Sequence, residues 1–349
     1  MSSFASRLIR WQKNHGRHGL PWQNTRDPYR VWLSEIMLQQ TQVSTVIPYY
    51  LRFLDRFADL PALAAAPLEE VMALWSGLGY YARARNLHAC ARAIMAEHGG
   101  AFPPSPDTIA TLPGIGRSTA NAIAAFCFGA RVPILDGNVK RLLCRHNGIE
   151  DFPGQSTVDR ELWRLAESLL PETDVHTYIQ AQMDLGATIC KRSRPDCSKC
   201  PLCANCVAHR EGRTDELPVA RPRKTLPKRE VTLLILLHDR RVLLEARPPA
   251  GIWGGLLSLP EVVVAADAAK EARRLGCSIV STIALPRVTH AFTHFKLHIS
   301  PLLCPVELLA QAADNSARWL DGQALGSAPL PAPIRRLLED SGIFTDTRA

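Results

Sequence analysis

No apolar stretch in this chain of 349 residues approaches the roughly 20 residues that a membrane-spanning helix needs. The opening segment MSSFASRLIRWQKNHGRHG has no apolar signal core, so export is not expected. The two absences together point to a cytoplasmic protein with no membrane partner. No internal repeat is found, which sets aside repeat architectures. Acidic residues are in deficit: 33 Asp and Glu stand against 41 Lys and Arg, a net charge of +8. That balance suits a polyanionic partner, of which nucleic acid is the commonest. The length is enough for two domains, each with its own core.

Cysteine, by contrast, is concentrated. Of 10 cysteines, five (Cys190, Cys197, Cys200, Cys203 and Cys206) fall in one short stretch. Disulfides need an oxidising compartment, so a thiolate-bound metal is the expected use. Two ligand sets are open. Cys197, Cys200, Cys203 and Cys206 share a two-residue spacing that suits zinc. The alternative takes Cys190 and leaves Cys203 out.

The first ~205 residues read as helical, with apolar spacings of three and four over 29–47, 68–74, 82–97, 117–128 and 158–170. No alternating strand pattern occurs there. Residues 207–230 hold three prolines and seven Arg or Lys against four acids, and read as a solvated linker. From Val231 the texture is β: 231–238, 242–247, 255–261, 277–285 and 294–303 are strand-like. Helical patches at 265–275 and 333–338 complete an α+β domain.

Leu112-Pro-Gly-Ile-Gly-Arg-Ser-Thr-Ala120 reads as a tight turn entering a helix. Gly114 and Gly116 permit the turn and a close backbone approach to a ligand, and the helix N-terminus favours phosphate. The string resembles the helix-hairpin-helix motif of DNA repair glycosylases. Ile134-Leu-Asp-Gly-Asn-Val-Lys-Arg141 follows, and by that resemblance Asp136 is the catalytic aspartate. The spacing Cys190-x6-Cys197-x2-Cys200-x5-Cys206 is similar to the [4Fe–4S] pattern of the endonuclease III branch. The resemblance thus makes these four the cluster ligands and Cys203 a bystander. It implies an all-α glycosylase domain over 1–206, with the hairpin at 112–120 and the cluster loop at 190–206. The basic linker then spans 207–228.

The branch is read from two positions. Lyases of the endonuclease III type carry a lysine in the helix after the hairpin, which forms a Schiff base with the sugar. Ser118 stands there, and no lysine lies between Gly114 and Val139. Glu35 lies in Val31-Trp-Leu-Ser-Glu-Ile-Met-Leu-Gln-Gln-Thr-Gln-Val43, an apolar setting that raises a carboxyl pKa. This string resembles the signature of the MutY adenine DNA glycosylases. The resemblance implies that Glu35 protonates N7 of adenine while Asp136 stays ionised and stabilises the sugar cation. It implies that Gln40 and Tyr80 wedge into the DNA stack, with Thr41 and Leu78 contacting the opposite base. Trp22, Gln180 and Asp184 would line the adenine pocket. Asn138 would orient Asp136 or a water, and Lys140 would meet a phosphate or act electrostatically in the site.

Residues 229–349 resemble the Nudix-like domain at the C-terminus of those glycosylases. Gly255-x5-Glu261 fits the start of a Nudix box. Ala269-Lys270 then replaces its Arg-Glu, and Arg273-Arg274 replaces the glutamates that hold magnesium. A fold without the hydrolase activity is expected, its cationic box turned towards DNA phosphate. Phe292, Thr293 and His294 resemble the family's Phe-Ser-His loop that reads 8-oxoguanine, with Thr293 in place of its serine. The resemblance implies a monomeric, monofunctional enzyme acting on A:8-oxoguanine and A:G mispairs in duplex DNA. It would be of bacterial type and associated with the nucleoid through DNA.

Overall fold

The computed structural model describes residues 3–221, 226–248, 251–292, 294–309 and 317–344. The chain divides into two compact units. The first holds residues 1–65 and 86–223, the second 66–85 and 224–349.

The first unit is helical: α1 (Ser3–His15), α2 (Pro28–Leu38), α3 (Val43–Arg56) and α4 (Leu60–Ala65) open it. After α5 (Leu68–Trp75) of the second unit, α6 (Ala82–His98) crosses the boundary. Then follow α7 (Pro106–Ala110), α8 (Arg117–Phe128), α9 (Gly137–Asn147), α10 (Ser156–Ser168), α11 (Val175–Thr188) and the short α12 (Val207–Arg210). Capping explains several boundaries. Asp27 accepts the Tyr29 N–H at 3.0 Å and Pro28 opens α2, a position where proline loses no needed donor. Gly129 and Gly148 end α8 and α9 at φ 71° and 67°. Trp32, Leu33, Tyr50, Phe53, Ile123 and Leu143 are fully or almost fully buried and supply much of the core.

The expected helix over 29–47 is two helices. The chain turns between them at Gln40, whose φ of 56° is left-handed. No glycine or proline announces that break. The stretch 207–228, expected to be a solvated linker, is not uniform. Its first part folds against α9: Ala208 and Leu217 are buried, and Arg145 Nε donates to the Leu217 carbonyl at 2.7 Å. Arg213 is ion-paired to Glu150 and Glu216, so its charge is internally satisfied.

The second unit is built on a mixed sheet. Its strands are β1 (Lys228–His238), β2 (Arg241–Ala246), β3 (Leu257–Ser258), β4 (Glu261–Val262), β5 (Cys277–Ile279), β6 (Ile283–Ala284), β7 (Val288–Ala291), β8 (Lys296–Leu308) and β9 (Ala317–Leu320). The central order is β3-β2-β1-β8-β5. β1 and β8 run parallel with Lys228 opposite Lys296, and the other pairings are antiparallel. The helix α13 (Ala268–Arg274) packs Ala268, Ala272 and the following Leu275 against Leu234, Leu236, Cys277 and Cys304 of the sheet. α14 (Gly322–Ser327) and α15 (Ala332–Asp340) end the chain; α14 and β9 had no clear sequence signal. Segment 66–85 belongs here by its contacts: the Ser76 and Tyr81 hydroxyls both bond the Leu330 carbonyl. Arg85 donates to the Gly254 carbonyl. Among the described residues no helix is long and apolar enough to cross a membrane.

At the degenerate Nudix box, Arg274 does not stand free for a phosphate. Its guanidinium pairs with Glu245 of β2 at 2.5 Å and Glu271 of its own helix at 2.7 Å. Arg273 is exposed.

Candidate active site

A cavity of about 1180 Å³ opens in the first unit between α2, α8, α9 and α11. Glu35 lies on its wall, one turn from the end of α2. Among the described residues no hydrogen bond to its carboxyl is seen. Burial, and then the nearby Asp136 carboxylate, push it from 4.5 up to about 7.

Asp136 reaches the same cavity as the N-cap of α9. One oxygen accepts the Val139 N–H at 2.8 Å and the other the Asn138 side-chain amide at 3.2 Å. Burial raises its pKa, while those hydrogen bonds and the Arg141 charge oppose the rise. Of the two carboxyls, Asp136 therefore has the supports an anion needs and Glu35 has none. Ser118, where a lysine would mark a lyase, lines the cavity and accepts the Leu135 N–H at 3.0 Å, fixing the residue before Asp136.

Sequence reasoning did not single out Arg141 or Gly186. Arg141 lies one turn after Asn138. It donates to the Asn138 side-chain oxygen Oδ1 and to the backbone carbonyls of Gly186 and Cys190, each at 2.7 Å. Gly186 lets α11 approach α9: a Cβ there would lie 2.5 Å from Asn138 Cβ. Only the i, i+3 spacing of Asn138 and Arg141 hinted at this arrangement.

The expected pocket residues separate. Trp22 lines the cavity, edge-on to Tyr50 with ring centroids 5.3 Å apart. Gln180 lines it too, its amide nitrogen committed to Asp184 at 3.0 Å. Asp184 does not line it. This residue is fully buried, with both oxygens taken by Arg17, Gln12 and Gln180, so it acts behind the wall. Lys140 is likewise absent from the cavity, because its ammonium pairs with Asp159 of α10 at 2.5 Å.

Gln40 and Thr41 line the cavity beyond the end of α2. In the second unit, Tyr80 is 48% exposed at φ 49°, with Arg83 over its ring. Leu78 differs from expectation: it is buried, at 5% exposure, and its side chain is not presented to a partner. At the hairpin, Gly114 has φ 76° and a Cβ there would meet Asn86 Cβ at 2.6 Å. Gly116 has an ordinary φ of −90° and open space where a Cβ would lie. Neither its backbone conformation nor the space around it requires a glycine.

Phe292 stacks on Phe295 at 4.6 Å and meets His290 edge-on at 4.7 Å. His294 is exposed beside Phe295. Thr293 lies outside the described residues.

The five clustered cysteines face one cavity, closed on the α9 side by Arg145 and His146. Burial pushes Cys200 up to about 12, and the sulfurs of Cys190, Cys206 and Cys197 push the same way. Arg145 is buried, with Nη1 3.4 Å from Cys190 Sγ, and its guanidinium also donates to the backbone carbonyls of Leu217, Lys191 and Arg192. A buried guanidinium among carbonyls and sulfur fits a negatively charged thiolate-held group. Among the described residues no three of His, Cys, Asp and Glu converge tightly enough to hold a single metal ion.

Residues 33–168 match the HhH-GPD superfamily of base excision DNA repair proteins, and 231–340 match the NUDIX domain. The adenine DNA glycosylase of Buchnera aphidicola subsp. Acyrthosiphon pisum is 35% identical, with 97% of each chain covered. The Mus musculus adenine DNA glycosylase is 34% identical over 97% of this chain and 77% of its own. A solved thermostable thymine-DNA glycosylase matches with TM-score 0.55 and 28% identity, over 60% of this chain and 95% of its own. The chain belongs to the adenine DNA glycosylases of the helix-hairpin-helix superfamily, with a Nudix-like domain following the helical one.

Proposed function

We propose that the protein is a monofunctional glycosylase that removes adenine paired with 8-oxoguanine or guanine in duplex DNA. The adenine leaves the base stack and enters the cavity of the first unit, at a cost of a few kcal/mol for unstacking. Trp22 packs against it and the Gln180 carbonyl oxygen accepts from its edge. Glu35 gives its proton to N7, so the base departs neutral when the bond between N9 and the sugar breaks. Asp136 faces the sugar as a carboxylate and stabilises the cation that develops, bonding to it transiently before water completes hydrolysis. This division between a protonated and an ionised carboxyl is the general logic of glycoside cleavage. Asn138 and Ser118 hold Asp136 in place.

Gln40 and Tyr80 fill the gap in the stack, with Thr41 beside the opposite base. Phe292, Thr293 and His294 of the second unit read the 8-oxoguanine. Cys190, Cys197, Cys200 and Cys206 would hold a [4Fe–4S] cluster; the shared cavity and Arg145 support this. Bound there, the cluster would pin the loop 190–206 and let the buried thiols ionise.

One observation carries the reading: a carboxyl raised to about 7 without a hydrogen-bond partner, sharing a cavity with a helix-capping carboxylate. Strand cleavage of an A:8-oxoguanine duplex tests it. Free adenine with breakage only after alkali supports the proposal. Breakage without alkali, accompanied by a borohydride-trapped adduct, would show a lyase instead.

A further inference from the structure

One residue in the wall of the cysteine cavity carries a buried polar atom that has no hydrogen-bond partner among the described residues. The last turns of α9 wall it with Leu142, Arg145 and His146, a spacing that puts all three on one helix face. His146 Nδ1 is buried and has no hydrogen-bond partner among the described residues. The ring packs edge-to-face with Phe4, centroids 4.8 Å apart, and the Asn147 side chain engages the imidazole. An unmet buried polar group costs about 1–3 kcal/mol, so an orphan in a native wall calls for a partner. Five cysteine sulfurs line this cavity, alongside Asp196, Thr214 and His209. Arg145, the neighbouring residue, already directs an N–H at Cys190 Sγ.

We infer that His146 donates its Nδ1–H to a sulfur of the iron–sulfur cluster. It is thus a positioning residue for that cluster and sets its reduction potential. The inference rests on the cluster reading above. An N–H dipole aimed at sulfur stabilises the more electron-rich state, so such bonds raise the potential. Removing the donor makes the cluster easier to oxidise, while the cysteines still hold the iron.

The test uses the full chain purified without oxygen, as wild type and as His146→Phe, which keeps a ring against Phe4. Iron per chain, midpoint potential and the rate of oxidative bleaching of the visible absorption are measured. The expected result is unchanged iron, a lower potential and several-fold faster bleaching. Pulsed EPR of the paramagnetic cluster in unmutated protein labelled with 15N-histidine gives a second readout that needs no variant to fold. A nitrogen coupling is expected, and it disappears in His146→Phe. Iron-loaded wild type with no such coupling overturns the inference, as does an unchanged potential in the variant. Wild type that carries zinc, or no iron, overturns the cluster reading itself, and the iron assay separates that failure from the failure of His146.

Discussion

The Asp136 carboxylate acts on Glu35 across the cavity, adding to burial in raising its pKa, while its own charge is held by Val139 N–H and Asn138. Burial raises the pKa of both carboxyls, but only at Asp136 do hydrogen bonds and the Arg141 charge oppose the rise. Glu35 is protonated below about 7. Base release should therefore fall as pH rises through 7, and the single-turnover rate against pH checks this. Glu35→Gln should lower the rate by ~10²-fold or more, the usual size of a general-acid effect.

Stability gives an independent check on the same residue. Between 4.5 and about 7 the folded protein binds the Glu35 proton and the unfolded chain does not. Stability then falls with rising pH across that window. The rise in pKa corresponds to at most ~3 kcal/mol. Glu35→Gln should be more stable than wild type above pH 7 and lose that advantage below 4.5, as read by urea unfolding at the two pH values.

Asp184 is a buried anchor. It joins α11 to Arg17, just beyond α1, through a pair at 2.6 Å in which the carboxylate has no exposure. Asp184→Ala strands the partner charge, which typically costs ~3–5 kcal/mol. Thermal or urea denaturation should report a loss of that size. A variant of wild-type stability that had lost only adenine binding would assign Asp184 to the pocket instead.

Gly186→Ala tests how Asn138 is seated. The new methyl would press on Asn138, whose Cα as well as Cβ is close, so the cap must shift. The turnover rate should drop with little change in affinity for duplex DNA. Crystal coordinates of the variant should show Asn138 displaced from Asp136.

The hairpin glycines separate conformation from access. Gly114→Ala is strained twice, by its φ of 76° and by Asn86, and should destabilise the protein by ~1–3 kcal/mol. Gly116→Ala should fold normally, since nothing stands in its way. If a phosphate approaches there, its DNA affinity falls, measured by fluorescence anisotropy.

Local chemistry made much of this legible. α8 occupies the segment read from spacing, and the apolar surroundings of Glu35 anticipated its raised pKa. What was not legible depends on distant partners. Lys140 looks like a phosphate contact until Asp159 is placed beside it. Asp184 looks like a pocket residue until Arg17 arrives from far upstream. Leu78 lies in a Gly-flanked turn that reads as exposed, yet it is buried. The assignment of 66–85 to the second unit rests on bonds to Leu330 and Gly254, which no local pattern encodes. Gln40 turns the chain with a residue that has no special liking for that conformation.

Arg274, clasped by Glu245 and Glu271, gives its domain a cation that is part of the chain. A domain that supplies its own counter-charge has no need to borrow one from solution. Its melting temperature should not respond to chelators or to millimolar magnesium.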